Sequence, residues 1–305
     1  MGLPSYDKGV GGDTYEPNAY TELANAIGTV ALQLIRENTA DDKFAIFNKT
    51  PVDTGDTIEQ IVGKLLASSP YDSTGANTLD RDTSSKVMVK LFKDWDARTF
   101  KTTVDISMIR KIMMRGGDGA ETVASMLVSQ LNESDKYDKY TNGKGLLTWA
   151  RTSPNNAIVH ATDVSIPSGG TRDPEAILKN IKNIVSGMQY VNDDFNIAGY
   201  DRRTRPEDIY IVMPYELKND LDVDVLAGVF NLSKDELGAR IIEIDSSDKF
   251  VYVVDQNAIL MNTRLYEMLP QLNAKGHFYN YYLHCERLYG ISPLFDACYF
   301  EYDKA

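Results

Sequence analysis

Between Lys86 and Ala150 the hydrophobic period of this sequence changes from two to a helical one, and that change limits how the rest can fold. Two extended runs come first, Lys86–Phe92 and Arg98–Val104. Val87, Val89 and Leu91 alternate with Met88, Lys90 and Phe92, and Phe100, Thr102 and Val104 alternate with Thr99, Lys101 and Thr103. Alternation among β-branched and aromatic residues predicts strands. The short link from Lys93 to Ala97 predicts a hairpin over 86–104. Helical spacing follows at once: Ile106, Ile109, Ile112 and Met113 share one face, and Gly116, Gly117 and Gly119 interrupt it. A second helix is predicted over 118–137, with Asp118 and Glu121 as a capping pair and an apolar stripe through Ala120, Val123, Ala124, Leu127 and Leu131. A projecting two-stranded arm cannot bury its own faces. A chain built this way is expected to complete its packing against other copies.

The remaining pattern is mixed α+β without repeats. Residues 1–17 are glycine-rich, broken by Pro4 and Pro17, and read as an arm. An amphipathic helix follows, with Tyr20, Leu23, Ile27, Val30, Ala31 and Leu34 on one side. Phe44–Phe47 is predicted as a strand and Thr57–Leu66 as a helix. The whole of 67–103 reads as one long projecting loop. Further strands are predicted at Ile158–Ile166, 208–213, Arg240–Ile244, Phe250–Val254, Ala258–Asn262, Phe278–Tyr289 and Pro293–Tyr302. Asp173–Pro174 opens an amphipathic helix, and Pro214 opens another through Leu217 and Leu221. The apolar run at 208–213 predicts a strand buried on both faces.

Composition excludes several functions. The 305 residues carry a net charge of −12, which opposes attraction to nucleic acid. Two cysteines fit a reducing compartment better than a disulfide scaffold. No run reaches the length of a membrane span. The first residues lack a signal peptide, and Tyr6 stands where a myristoylation signal wants Ser or Thr.

Site chemistry is sparse. His284 and Cys285 are neighbours in a predicted strand, so they face opposite sides and cannot share a metal. Asp220, Asp222 and Asp224 begin like a calcium loop, but Val225 and Asn231 occupy its required glycine and glutamate positions. Asp118 and Glu121 would repel a phosphate at the glycine-rich turn, so Gly116, Gly117 and Gly119 read as a hinge. No nucleophile, metal or cofactor motif is expected, and no enzyme activity. Lys86, Lys90, Lys93, Arg98 and Lys101 make a basic stripe along the predicted hairpin, with Trp95 at its turn. They are either a solvated face or the contact with an acidic patch on a neighbouring subunit.

Two stretches carry a resemblance to a known family. One runs from Lys86 through Thr99–Phe–Lys–Thr–Thr–Val–Asp–Ile106 to about Tyr140, including Leu131–Asn–Glu–Ser–Asp–Lys–Tyr137. The other is Asn273–Ala–Lys–Gly–His–Phe–Tyr–Asn–Tyr–Tyr–Leu–His284 with Tyr289–Gly–Ile–Ser–Pro–Leu–Phe295. Together they resemble the major capsid proteins of tailed bacteriophages, which have the Hong Kong 97-type fold. The resemblance implies an N-terminal arm and helix at 1–40 and an extended loop at 50–105 lying over a neighbour. It implies a peripheral domain at 106–192 and 276–305 with its spine helix, and an axial domain at 193–275. It also implies self-assembly into hexamers and pentamers forming an icosahedral shell around the phage genome. DNA would be enclosed without sequence-specific binding. A separate scaffolding protein, a portal and decoration proteins are the expected partners, the host bacterial cytoplasm the place of assembly, and the virion the destination. The chain shows none of the charged helical preface that serves some members as a scaffold. An encapsulin-like nanocompartment shell of the same fold, or an enzyme with a scattered site, are the alternatives.

Overall fold

The computed structural model describes residues 43–51, 57–66, 68, 71, 73–75, 87–105, 119–153, 157–165, 173–221, 240–245 and 249–303, with backbone alone for 119–126. The predicted N-terminal helix, the face Ile106–Met113, Lys86, Gly116, Gly117, Asp118 and the acidic run at 222–224 lie outside the described residues. Strand β1 is Ile58–Gly63, β2 Val87–Phe92 and β3 Trp95–Asp105. Helix α1 is Gly119–Thr152, β4 Val159–His160, α2 Pro174–Met188, β5 Ile209–Pro214, α3 Tyr215–Asp220, β6 Ile241–Ile244 and β7 Phe250–Asp255. Strands β8 (Ile259–Asn273), β9 (Phe278–Ile291) and β10 (Ala297–Glu301) close the chain.

Several expectations are corrected. The predicted hairpin over 86–104 is not one: β2 pairs antiparallel with β1, and β3 pairs along its whole length with β9. Only Lys93 and Asp94 separate β2 from β3, and there the chain passes from one sheet into another. Thr57–Leu66 is a strand and not a helix. Its apolar positions fit either period, and pairing with β2 decides for the strand. Phe44–Phe47 ends in a 3₁₀ turn over Ala45–Phe47, because three residues per turn put Phe44 and Phe47 inward together. The strand expected at Ile158–Ile166 is two residues long, and that expected at Ala258–Asn262 extends to Asn273. The helix predicted to end near Tyr137 runs 34 residues, about 51 Å at 1.5 Å per residue. The helix carries Gly143 in its interior, where a Cβ would stand 3.0 Å from the Phe44 ring and from Met261 Cε.

One sheet has the order β4-β10-β7-β5-β6. Its two faces bury different elements. Helix α2 lays Ile177, Ile181, Ile184, Val185 and Met188 on one face, against Ile209, Ile211, Val251, Val253 and Phe300. Asp173 caps α2, its carboxylate accepting from the Glu175 and Ala176 amides. The other face carries Tyr210, Val212, Tyr252 and Val254 against Phe44, Phe47 and the C-terminal half of α1, through Leu147 and Ala150. Strand β5, which lies between β7 and β6, is therefore buried at every position, as its apolar run predicts.

The second sheet is a three-stranded ribbon of order β3-β9-β8. The α1 segment around Leu131–Asp138 crosses its inner face. There Arg287 of β9 and Asp135 of α1 are both buried, with Arg287 Nη2 2.6 Å from Asp135 Oδ1. Lys139 stands 3.2 Å from the other carboxylate oxygen, and Tyr266 of β8 donates to Asn132 at 2.9 Å. The two sheets meet where β7 leads into β8 and β9 leads into β10. At that root Arg202 Nη2 lies 2.5 Å from Asp255, while the Thr204 hydroxyl donates to Asp296 at 2.5 Å.

Removing one partner of a buried ion pair strands the other, at about 3–5 kcal/mol. Asp135→Ala is expected to lower the unfolding free energy by about 3–5 kcal/mol. Asp135→Leu with Arg287→Met should recover most of the loss, measured by equilibrium unfolding in urea.

Candidate functional site

The two-stranded sheet of β1 and β2 buries a single residue, Phe92. Its register sets Ile61 opposite Val89, Glu59 opposite Leu91 and Gly63 opposite Val87. These residues share one face by the period of two. Val87 is 67% exposed, Ile61 62%, Val89 52% and Leu91 42%. Alternation sends Ile58 and Phe92 the other way, into a small cluster with Leu260, Leu288 and Trp95. The pair is thus rooted on one side and presents a β-branched apolar face on the other. A contiguous apolar patch of this kind marks an interaction surface.

The residues expected to form a basic stripe are dispersed. Lys86 lies outside the described residues. Lys90 is on β2, with Nζ 5.6 Å from the Phe92 ring. Lys93 is exposed at the corner between β2 and β3. Trp95 is half-buried beneath the Arg264 guanidinium, 4.8 Å from its ring. Arg98 turns inward to α1, pairing with Asp138 at 2.5 Å and Asn142 at 3.2 Å, and with Asp96 at 2.6 Å. Lys101 projects from the opposite face of the ribbon, 5.7 Å from the Tyr282 ring. β2 and β3 belong to different sheets, so their charges make no single stripe. Of the three hinge glycines, Gly119 is the first residue of α1; Gly116 and Gly117 lie outside the described residues.

Sequence reasoning recognised the alternation in β2 but missed its apolar partner, because Ile61 was assigned to a helix. The signal available was β-branching at Thr57, Ile58, Ile61 and Val62.

Among the described residues no group of three His, Cys, Asp or Glu side chains could hold a metal ion. His284 and Cys285 face opposite sides of β9: the His284 ring pairs with Thr99 Oγ1 at 3.0 Å, and Cys285 is buried against Asp135. Burial pushes the Cys285 thiol up to about 12, and it raises Cys298 as well.

Over residues 12–301 the sequence matches the family described as Phi29-like phage major capsid protein. The major capsid protein of Bacillus phage GA-1 is 26% identical over 281 residues, which cover 90% of this chain and 59% of that protein. That of Streptococcus phage Cp-1 is 23% identical over 317 residues, covering 93% of this chain and 82% of its own. The chain therefore spans less than two thirds of the length of the GA-1 relative. In fold it is similar to a chain in the capsid structure of Staphylococcus phage Andhra, with TM-score 0.67, 12% identity, and coverage of 85% of this chain and 83% of that one. A chain from the structure of head fiber and inner core protein gp22 of native bacteriophage P68 gives TM-score 0.63 and 13% identity, covering 85% and 84%. The likeness to these two chains is one of fold, a mixture of helices and sheets.

Two measurements follow from the burial. On β2, Val89→Ser should change stability by no more than about 0.5 kcal/mol, while Phe92→Ala, three positions on, should cost about 3–5 kcal/mol; urea unfolding compares them. Both native thiols should resist a thiol reagent at mildly alkaline pH, because neither ionises there in the fold, and both should react once the chain is unfolded.

Proposed function

We infer, from the premise that this chain belongs to the Phi29-like phage major capsid protein family, that it is the repeating subunit of a phage head shell. It is a structural protein and not an enzyme, and its family favours a phage head over a nanocompartment. Its finer organisation is read as Hong Kong 97-type. Helix α1 is the spine. It carries the β3-β9-β8 ribbon as a peripheral domain and leans by its C-terminal half on the β4-β10-β7-β5-β6 sheet, the axial domain. The sheet membership supports drawing α2 and β10 into the axial unit, which moves the boundaries from those expected at 193 and 275.

The observation that carries the assembly reading is the outward face of β1 and β2. Four exposed aliphatic side chains on a two-stranded sheet have no reason to persist in a monomer, and a neighbouring copy would bury them. This sheet, with the chain leading into β3, is the extended loop laid over a neighbour in hexamers and pentamers. Shell assembly is proposed to take place in the host cytoplasm with a separate scaffolding protein, around a portal, and to end in a virion. Decoration proteins are proposed for its outside. The net charge of −12 supports enclosing DNA without trapping it.

Ile61→Lys with Val89→Glu tests the reading, because the two substitutions fall opposite each other on the exposed face, pair unlike charges across the strands and spare the root. The variant should keep the circular dichroism and unfolding midpoint of the parent. Expressed with its neighbouring head genes, it should yield no closed shells by electron microscopy. Normal shells from a folded variant would sink the assignment of this face.

A further inference from the structure

The C-terminal half of α1 has a second side that nothing described covers. Tyr137, Tyr140, Thr141, Gly145, Thr148 and Trp149 line a groove of about 540 Å³ along the helix. Tyr137 at one end is 72% exposed and Trp149 at the other is 54% exposed. The floor between them is small and apolar. A Cβ on Gly145 would meet nothing within 4 Å. The Thr148 hydroxyl donates to the Lys144 carbonyl at 3.2 Å, and that of Thr152 to the Thr148 carbonyl at 2.9 Å. Both hydroxyls are thereby spent on the helix backbone, which leaves methyl groups for the groove. One rim is fixed: the Asp245 carboxylate accepts from Tyr140 Oη at 2.8 Å and pairs with Lys144 at 2.9 Å.

The described chain begins beside this groove. Lys43 Nζ reaches the Glu243 carbonyl at 3.4 Å, two residues from Asp245. Phe44 packs 6.0 Å from the Tyr140 ring and against Gly143. The preceding segment carries the helical apolar repeat Tyr20, Leu23, Ile27, Val30, Ala31 and Leu34. In helical form residues 20–34 would measure about 21 Å, and the groove from Tyr137 to Thr152 about 22 Å, at 1.5 Å per residue. The linker from residue 34 to 43 can span up to about 30 Å. Length, reach and surface therefore match. Two exposed aromatic side chains flanking a glycine suit close approach by an apolar helix face.

We propose that this groove is the docking site for residues 20–34 of the same chain, which lay their apolar face between Tyr137 and Trp149. The segment would thereby brace α1 from the side opposite the five-stranded sheet.

The full-length chain provides the test. The sequence has two tryptophans, so Trp95→Phe leaves Trp149 as the reporter. In dilute monomer Trp149 should be shielded from acrylamide, and Ile27→Asp should raise its quenching severalfold. Equal quenching in the two folded proteins overturns the proposal. Cysteine pairs give an independent reading should Ile27→Asp fail to fold, since the native cysteines are both buried. Gly145→Cys combined with Ile27→Cys or Ala31→Cys should form a disulfide within one chain, and combined with Asn25→Cys on the polar side it should not. Disulfides only between two chains would assign the groove to a neighbouring copy, and indiscriminate ones would deny it a specific occupant; either result overturns the proposal.

Discussion

The crossing of α1 over the ribbon depends on a charge that cannot reach water. Arg287 sits in the middle of β9 with its guanidinium buried, and Asp135 supplies its anion. The pair is not ideal: the contact to Nη2 is an ion pair off the line of a hydrogen bond, and Arg287 Nε finds no acceptor among the described residues. An imperfect buried pair adds little net stability, since desolvation offsets most of the attraction. What it gives is position. Sliding α1 by one turn along the ribbon would take Asp135 away from Arg287 and leave the buried guanidinium without that carboxylate, an error far costlier than a shifted leucine. The neighbouring Tyr266–Asn132 bond and the Arg98–Asp138 pair fix the same alignment at two further points.

The ribbon also has to be held at its root. Asp255 ends β7 just before β8, and Asp296 stands between β9 and β10. Arg202 and Thr204, from the loop ahead of β5, meet both. Burial raises the Asp255 carboxyl despite the guanidinium beside it. Two acids and one cation in a dry corner fix the path of four chain segments at once. The ribbon is thus clamped by polar contacts at its root and by the Asp135–Arg287 pair along its length, while the five-stranded sheet is held by two apolar layers. The parts that set angles are polar, and those that supply bulk stability are apolar.

This division explains what could be read from the sequence. Elements buried by apolar packing were legible: β5 as an unbroken apolar run, and α2 from its Asp173–Pro174 start and its six inward residues. The resemblance was legible in β9, where Tyr281, Leu283 and Cys285 alternate inward. Pairing partners were not legible. β2 and β3 are adjacent in sequence and looked like a hairpin, yet the distant β9 offers β3 an eleven-residue mate. The length of α1 was hidden for a related reason. Its predicted apolar stripe stops at Leu131, and what holds the C-terminal half is packing against elements far away in sequence: Phe44 and Met261 approach so closely that a Cβ on Gly143 would stand 3.0 Å from each. The candidate site was half visible: the alternation in β2 was plain, but its partner strand fitted a helical period equally well.

Edges and faces are treated differently on this molecule. β8 is an edge strand, and Pro270 removes a donor from it; the charged Arg264 and Glu267 lie along the same strand. Such features discourage edge-to-edge growth of a sheet. The apolar faces, by contrast, are left open on β1 and β2. A net charge of −12 makes copies repel at distance, with the repulsion screened beyond about 8 Å at physiological salt. Attraction must then come from short-range burial of apolar faces, which works only in the right orientation. Long-range repulsion combined with short-range adhesion favours oriented contacts over aggregation, because a misplaced copy buries less apolar surface to offset its charge.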